Sequence, residues 1–355
     1  MTEALYSLYR PKTFSDVIGQ EHITQTLSGA LKAGKESHAY LFSGPRGTGK
    51  TTCARILAAS VNCLNSNVAC GECESCVAIQ NGSHSDVVEM DAASNRGIND
   101  IRELRSRVTY QPVWGKRKVY ILDETHMLTT EASNALLKTL EEPPAHVIFI
   151  LATTEIHKML STIRSRCQPF TFRLVDNKSI FGRLDKINQE QNLKVPNLTL
   201  EYIVTEAKGS VRDAISLLDL ISGLENRDVD RVRYLMGRMN YQQVGDFVSC
   251  LGERNAAKAI RFINQAYQDS VDMYLLKQDV IAWLRGVVHV ASGANFSHPM
   301  LNRMRDQALD FKVSDLVVCL NKFNSETTTC PFLPQLTMEL PAIDAITAMQ
   351  PAEDF

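Results

Sequence analysis

The sequence predicts an α/β fold with a parallel sheet, followed by a small and then a larger helical domain. Three observations carry this. Short apolar runs alternate with helical patterns through the first half, a glycine-rich loop joins the first run to the first helix, and after Val175 only helical periodicity is left. The runs Ala39–Phe42, Val87–Met90, Val119–Leu122 and Val147–Leu151 are too short for helices and rich in Val, Ile and Leu. Strands buried on both faces have this composition. Pro169–Phe172 reads as a fifth strand. Between the strands, Lys50–Asn62, Ile98–Val108 and Thr130–Glu142 carry helical spacing, and the last stops against Pro143-Pro144, which cannot continue a helix. Strands alternating with helices imply a parallel sheet covered on both sides.

Beyond Val175, the segments Ile180–Gln191, Thr199–Ala207 and Val211–Ser222 read as short helices separated by Pro196 and Gly209. From Asn240 onward, Ala256–Gln268, Met273–His289 and Val313–Asn324 repeat apolar residues at three and four. The expected division is residues 1–175, 176–239 and 240–355.

Bulk composition narrows the function classes. The 355 residues are 44% hydrophobic and 22% charged, with a net charge of −2. No whole-chain basic field exists, so contact with nucleic acid has to come from a local patch. Met1–Phe14 carries Glu3, Arg10 and Lys12 and lacks the apolar stretch of a secretory signal. The longest apolar runs fall far short of the ~20 residues that a membrane span needs. A soluble, cytoplasmic protein with no membrane partner is expected. The ending Glu353-Asp354-Phe355 has no obvious tail, and the natural chain is free to be longer.

The loop Gly44-Pro45-Arg46-Gly47-Thr48-Gly49-Lys50-Thr51, followed by Thr52, satisfies the phosphate-binding pattern between a strand and a helix. Its glycines let backbone N–H groups turn onto phosphate oxygens, Lys50 adds a point charge, and the Thr51 hydroxyl can ligate Mg²⁺. Val119–Leu122 then delivers Asp123 and Glu124 beside that loop. Asp123 is placed to hold the magnesium through water, and Glu124 to orient an attacking water. ATP binding and hydrolysis are the expected activity. Asp123-Glu124-Thr125-His126 also spells the box of a helicase class, but such a motor needs a second α/β domain that the sequence after Val175 lacks. His126 is therefore read as a packed or helix-capping residue.

Among nine cysteines, Cys53, Cys167, Cys250, Cys319 and Cys330 are scattered and read as small buried hydrophobes. Cys63, Cys70, Cys73 and Cys76 are clustered, with Gly71 forming a knuckle between the second and third. Four thiolates at this spacing suit a closed, structural Zn²⁺ site.

With these residues in view, the chain resembles the clamp-loader ATPase family of the bacterial DNA polymerase III gamma/tau subunit. The resemblance rests on Tyr9-Arg10-Pro11-Lys12-Thr13-Phe14, Val17-Ile18-Gly19-Gln20, the phosphate loop and the cysteine knuckle. It also rests on Leu136–Pro144, Leu151-Ala152-Thr153-Thr154 and Ser165-Arg166-Cys167. The family implies an AAA+ fold in which 176–239 is a lid and 240–355 an oligomerisation collar. By the same resemblance, Tyr9, Arg10, Val17 and Ile18 border the adenine, and Thr154 senses the γ-phosphate. Arg166 is the finger that reaches a neighbour's ATP, and Arg212 is a second sensor on the lid. The implied partners are other clamp-loader subunits in a ring, the sliding clamp and primer–template DNA. Arg96, Arg102 and Arg105, around the start of the Ile98 helix, are the DNA candidates. A sister subunit of the family has lost the phosphate loop, whereas Lys50, Thr51, Asp123 and Glu124 are all present here. Two other readings compete: a scaffold that uses ATP only to assemble, and a small-molecule kinase, for which no acceptor motif is present.

Overall fold

The computed structural model describes residues 4–294, 298, 300–325 and 333–349, so Cys330 and the last six residues lie outside the described set. The chain forms two compact units, residues 1–223 and 224–355.

The first unit is built on a five-stranded sheet in the order β2-β3-β4-β1-β5. The strands are β1 (Ala39–Ser43), β2 (Val87–Asp91), β3 (Lys118–Asp123), β4 (Val147–Thr153) and β5 (Gln168–Thr171), all parallel to their neighbours. Residues alternate between the two faces with the period of two that a pleated strand imposes. Tyr40, Phe42, Val119, Ile121, Ile148 and Ile150 join one core, with helix Lys50–Val61 and the cysteine segment. Ala39, Leu41, Tyr120, Leu122, Phe149 and Leu151 join the other, with helices Ile98–Val108 and Thr130–Glu141. Because both faces are covered, the central strands read in the sequence as unbroken apolar runs.

Several expected boundaries, among them those of the strands and of the helices after Val175, shift by a few residues at most. β5 starts one residue before the expected Pro169, and it lies at the sheet edge, where a residue without an N–H is tolerated. The helix expected over Thr130–Glu142 ends at Glu141, ahead of the two prolines. Helices Glu21–Lys32 and Glu74–Gln80 were not anticipated. The first buries a narrow stripe of Ile23, Leu27 and Leu31, and the second is too short to show a period. Helices Asn177–Glu190, Asn197–Glu206 and Val211–Ser222 complete the unit.

The second unit is wholly helical among its described residues. Helices Tyr241–Gly252, Ala256–Gln268, Met273–Ala291, Val313–Asn324 and Leu336–Met349 enclose a core that includes Phe247, Trp283, Leu284 and Phe323. At one side of that core sits a buried charge cluster. Arg233 Nη2 donates to Asp279 Oδ2 at 2.7 Å, and Arg238 Nη1 donates to the other oxygen of the same carboxylate. The three side chains are only 2%, 7% and 10% exposed (Arg233, Arg238, Asp279).

Candidate functional site

The phosphate loop follows the C-terminal end of β1, an inner strand, at the edge where open parallel sheets place their ligands. Its shape depends on residues without a Cβ. Gly44 has φ +142°, and a Cβ there would lie 2.4 Å from the carbonyl oxygen of Phe172. Gly47 has φ +74°, and a Cβ there would meet the Ser210 hydroxyl at 1.9 Å and the Ser210 Cβ at 3.0 Å. Ser210 caps helix Val211–Ser222 by accepting from the Asp213 N–H. The loop and the start of that helix are therefore in direct contact.

Lys50 opens its helix and is 6% exposed. Its ammonium donates to the carbonyls of Gly44 at 2.9 Å and Pro45 at 2.8 Å, which aims it back over the loop. Burial pushes the Lys50 ammonium below its ordinary pKa, against the opposing pull of Glu124 and Asp123. The Thr51 hydroxyl donates to Asp123 Oδ2 at 2.7 Å, so the two groups suited to hold a magnesium ion are adjacent. The residue after β3, Glu124, takes a left-handed backbone (φ +46°), uncommon for a side chain with a Cβ. Its Oε2 accepts from the Thr154 hydroxyl at 2.9 Å and the Thr154 N–H at 3.3 Å.

These groups surround a cavity of about 470 Å³. Of the residues expected to bind ATP, Tyr9, Arg10, Val17, Ile18, Arg46, Gly47, Thr48, Gly49, Lys50, Thr51 and Thr52 line it, together with Asp123, Glu124 and Arg212. Arg212 comes from helix Val211–Ser222 and lies 5.2 Å over the Tyr6 ring. Burial lowers the pKa of Arg10, and the nearby Arg55 and Arg212 charges lower it further while Glu89 opposes them. Such a crowd of cations is the electrostatic complement of a polyphosphate.

The sequence reading missed Tyr6, Pro11, Asp91, Ala93, Val211 and Ile215 in the lining. Asp91 follows the apolar run Val87–Met90, but only the strand order sets it in register with Asp123. Tyr6 carried no signal, because only the fold brings its short helix to the loop. Thr154 stands behind Glu124 and does not line the cavity. Arg166 lies outside it as well, paired with Glu141 at 2.7 Å and donating to the Thr162 carbonyl at 2.8 Å. Arg96 and Arg102 are exposed and Arg105 is half-buried, and none of the three forms an ion pair among the described residues.

The cysteine cluster is compact. The sulfurs of Cys63, Cys70, Cys73 and Cys76 all lie within 4.8 Å of one another, with Cys63–Cys73 and Cys70–Cys76 at 4.0 Å. Four thiolates at about 2.3 Å from one tetrahedral ion stand about 3.8 Å apart, so the set fits a single metal. Gly71, at φ +79°, makes the turn between Cys70 and Cys73, and the Cys73 N–H donates to Cys70 Sγ. Burial pushes the Cys63 thiol up, but the N–H groups of Asn65, Cys70 and Ser66 pull it down to about 6. The scattered Cys53, Cys167, Cys250 and Cys319 are buried, as expected of apolar fillers.

Residues 19–176 match the family model described as DNA polymerase III, delta subunit. The chain is 47% identical over 290 residues to DNA polymerase III subunit tau of Bacillus subtilis, covering 81% of this chain and 52% of that protein. It is 42% identical to the gamma/tau subunit of Mycobacterium tuberculosis, over 86% of this chain and 55% of the relative. Against subunit tau of Escherichia coli it is 36% identical, over 95% of this chain and 54% of the relative. The chain thus spans about half the length of these relatives. Among solved structures, the Thermotoga maritima RuvB branch-migration motor aligns over 87% of this chain and 88% of its own, at 17% identity and a TM-score of 0.46. Identity at these levels across four-fifths or more of the chain comes from proteins of one description, and over that length the chain is homologous to the gamma/tau subunits of DNA polymerase III.

Proposed function

We propose that this chain is an AAA+ ATPase subunit of a clamp loader, hydrolysing ATP to place a sliding clamp on primed DNA within the DNA polymerase III holoenzyme. One observation carries the reading. A single cavity joins the phosphate loop, the Asp123-Glu124 acids and, from the helical segment after the sheet, Arg212. In this reading residues 176–239 form the lid, 240–355 the collar, and the protein works in the cytoplasm.

Tyr9, Arg10, Val17 and Ile18 border the base, and the loop amides with Lys50 hold the phosphates. Mg²⁺, held through Thr51 and Asp123, supplies charge neutralisation at the phosphates when bound. Glu124 orients the attacking water, Thr154 fixes Glu124, and Arg212 reports closure over the nucleotide. Arg166 points to a different role. It lies away from its own cavity, partly exposed and held among the described residues by the surface residue Glu141 and a backbone carbonyl, as suits a finger offered to a neighbouring subunit. DNA contact through Arg96, Arg102 and Arg105 belongs to the same proposal.

The test is steady-state ATP hydrolysis by the complex assembled with partner subunits, clamp and primed DNA. Arg166→Ala in every copy is expected to lower turnover about 10³-fold or more, as loss of a trans arginine does. Full turnover in that assembled variant would instead favour a scaffold that uses ATP only to assemble.

The cysteine cluster is proposed to hold one structural Zn²⁺. Metal analysis of protein purified under reducing conditions is expected to give close to one equivalent. Cys76→Ser should lose the metal and unfold the 63–80 segment at lower denaturant, because closed thiolate sites contribute about 10 kcal/mol or more to folding. Less than about half an equivalent would count against zinc.

A further inference from the structure

We infer that His126 is a positioning residue for Glu124, an inference that rests on the reading of Glu124 as the group that orients water. His126 does not line the nucleotide cavity, and a packed histidine would account for its burial alone. Its polar neighbours say more. The side chain is 6% exposed. Nδ1 lies 3.0 Å from the Thr153 hydroxyl and 3.4 Å from Glu124 Oε2, and Nε2 lies 3.4 Å from Glu155 Oε1.

Glu124 needs such a hold. Its backbone sits in the left-handed region, and its side chain is 32% exposed at the cavity edge, where a flexible carboxylate has several rotamers to choose from. Thr154 grips Oε2 with its hydroxyl and its N–H, both from the end of β4. His126 meets the same oxygen from a second element, the turn after β3. The ring is in turn steadied at its far nitrogen by Glu155, which Lys158 holds at 2.9 Å and 2.8 Å through its two oxygens. Thr153 closes the arrangement, because its hydroxyl oxygen touches His126 and also accepts the Glu155 N–H at 3.0 Å. The ring therefore ties the acid after β3 to the segment after β4, the segment that leads to Arg166. A water-orienting carboxylate works only in a narrow range of positions, so a group that fixes its oxygen acts on the chemical step and not on nucleotide binding.

The experiment measures kcat and KM for ATP in the complex assembled with partner subunits, clamp and primed DNA. The variants are His126→Ala, His126→Asn, Glu124→Gln and the double variant His126→Ala with Glu124→Gln, and ADP affinity is measured on each. His126→Ala is expected to lower kcat about 10- to 100-fold while KM and ADP affinity stay within about twofold. His126→Asn, whose amide nitrogen can occupy the place of Nδ1, should recover most of that loss. The double variant should be no slower than Glu124→Gln alone, because both act through one oxygen. Wild-type kcat for His126→Ala, equal losses for Ala and Asn, or an additive double variant would each overturn the assignment. If Glu124→Gln itself turns over normally, the reading of the site falls and this inference with it. If Glu124→Gln is inactive and His126→Ala is normal, only the inference falls.

Discussion

Glu124→Gln is expected to lower ATP turnover about 10²- to 10⁴-fold in the assembled complex, the range general-base assistance supplies. Gln keeps an oxygen that can accept from the Thr154 hydroxyl and N–H, so the local geometry should survive. What it loses is the negative charge that polarises water. ATP should therefore bind with near wild-type affinity, because Lys50 and the loop amides are untouched. Rapid-quench hydrolysis with a parallel measurement of ATP affinity separates the two effects. A fall in affinity as large as the fall in rate would mean that Glu124 holds the nucleotide and not the water.

The second large effect lies in the helical unit. Asp279→Ala removes the carboxylate that both Arg233 and Arg238 engage, at side-chain exposures of 2% and 7% for the two arginines. Both guanidinium groups would then lose that carboxylate in a site that water barely reaches. Breaking a buried pair from one side costs about 3–5 kcal/mol, because a buried charge loses its compensation. Urea unfolding followed by Trp283 fluorescence in a Trp114→Phe background reports this unit, since Trp283 lies in its core. A midpoint equal to that of the parent would show that the cluster does not hold the unit together. Asp279→Asn should cost less, as the amide oxygen can still accept one of the two bonds.

Much of the first unit was legible because its signals are local. The three central strands are apolar on both faces, and the phosphate loop fixes its own geometry through glycines. The cysteine set is close in sequence, so its closeness in space followed from spacing alone. What was hidden depends on the topology. Asp91 reaches the cavity through strand order, and Tyr6 through the folding back of a four-residue helix. The surroundings of His126 were equally out of reach, since Glu155 and Thr153 meet it only when β3 and β4 lie side by side. The charge cluster of the second unit left no trace either. Nothing in the pattern of an arginine-rich turn tells that Asp279, more than forty residues on, will receive it.

Gly47 is usually credited to the phosphates it would face, yet its tightest neighbour is the protein itself. A methyl group there would displace Ser210 and break the cap of the helix that carries Arg212. The loop and that helix thus seat against each other as a ball in a socket, with Gly47 as the point of bearing. A relative that had abandoned nucleotide would be released from keeping Lys50 and Thr51. It would not be released from Gly47 for as long as that helix stayed seated on the loop, so the glycine should outlast the motif that names it.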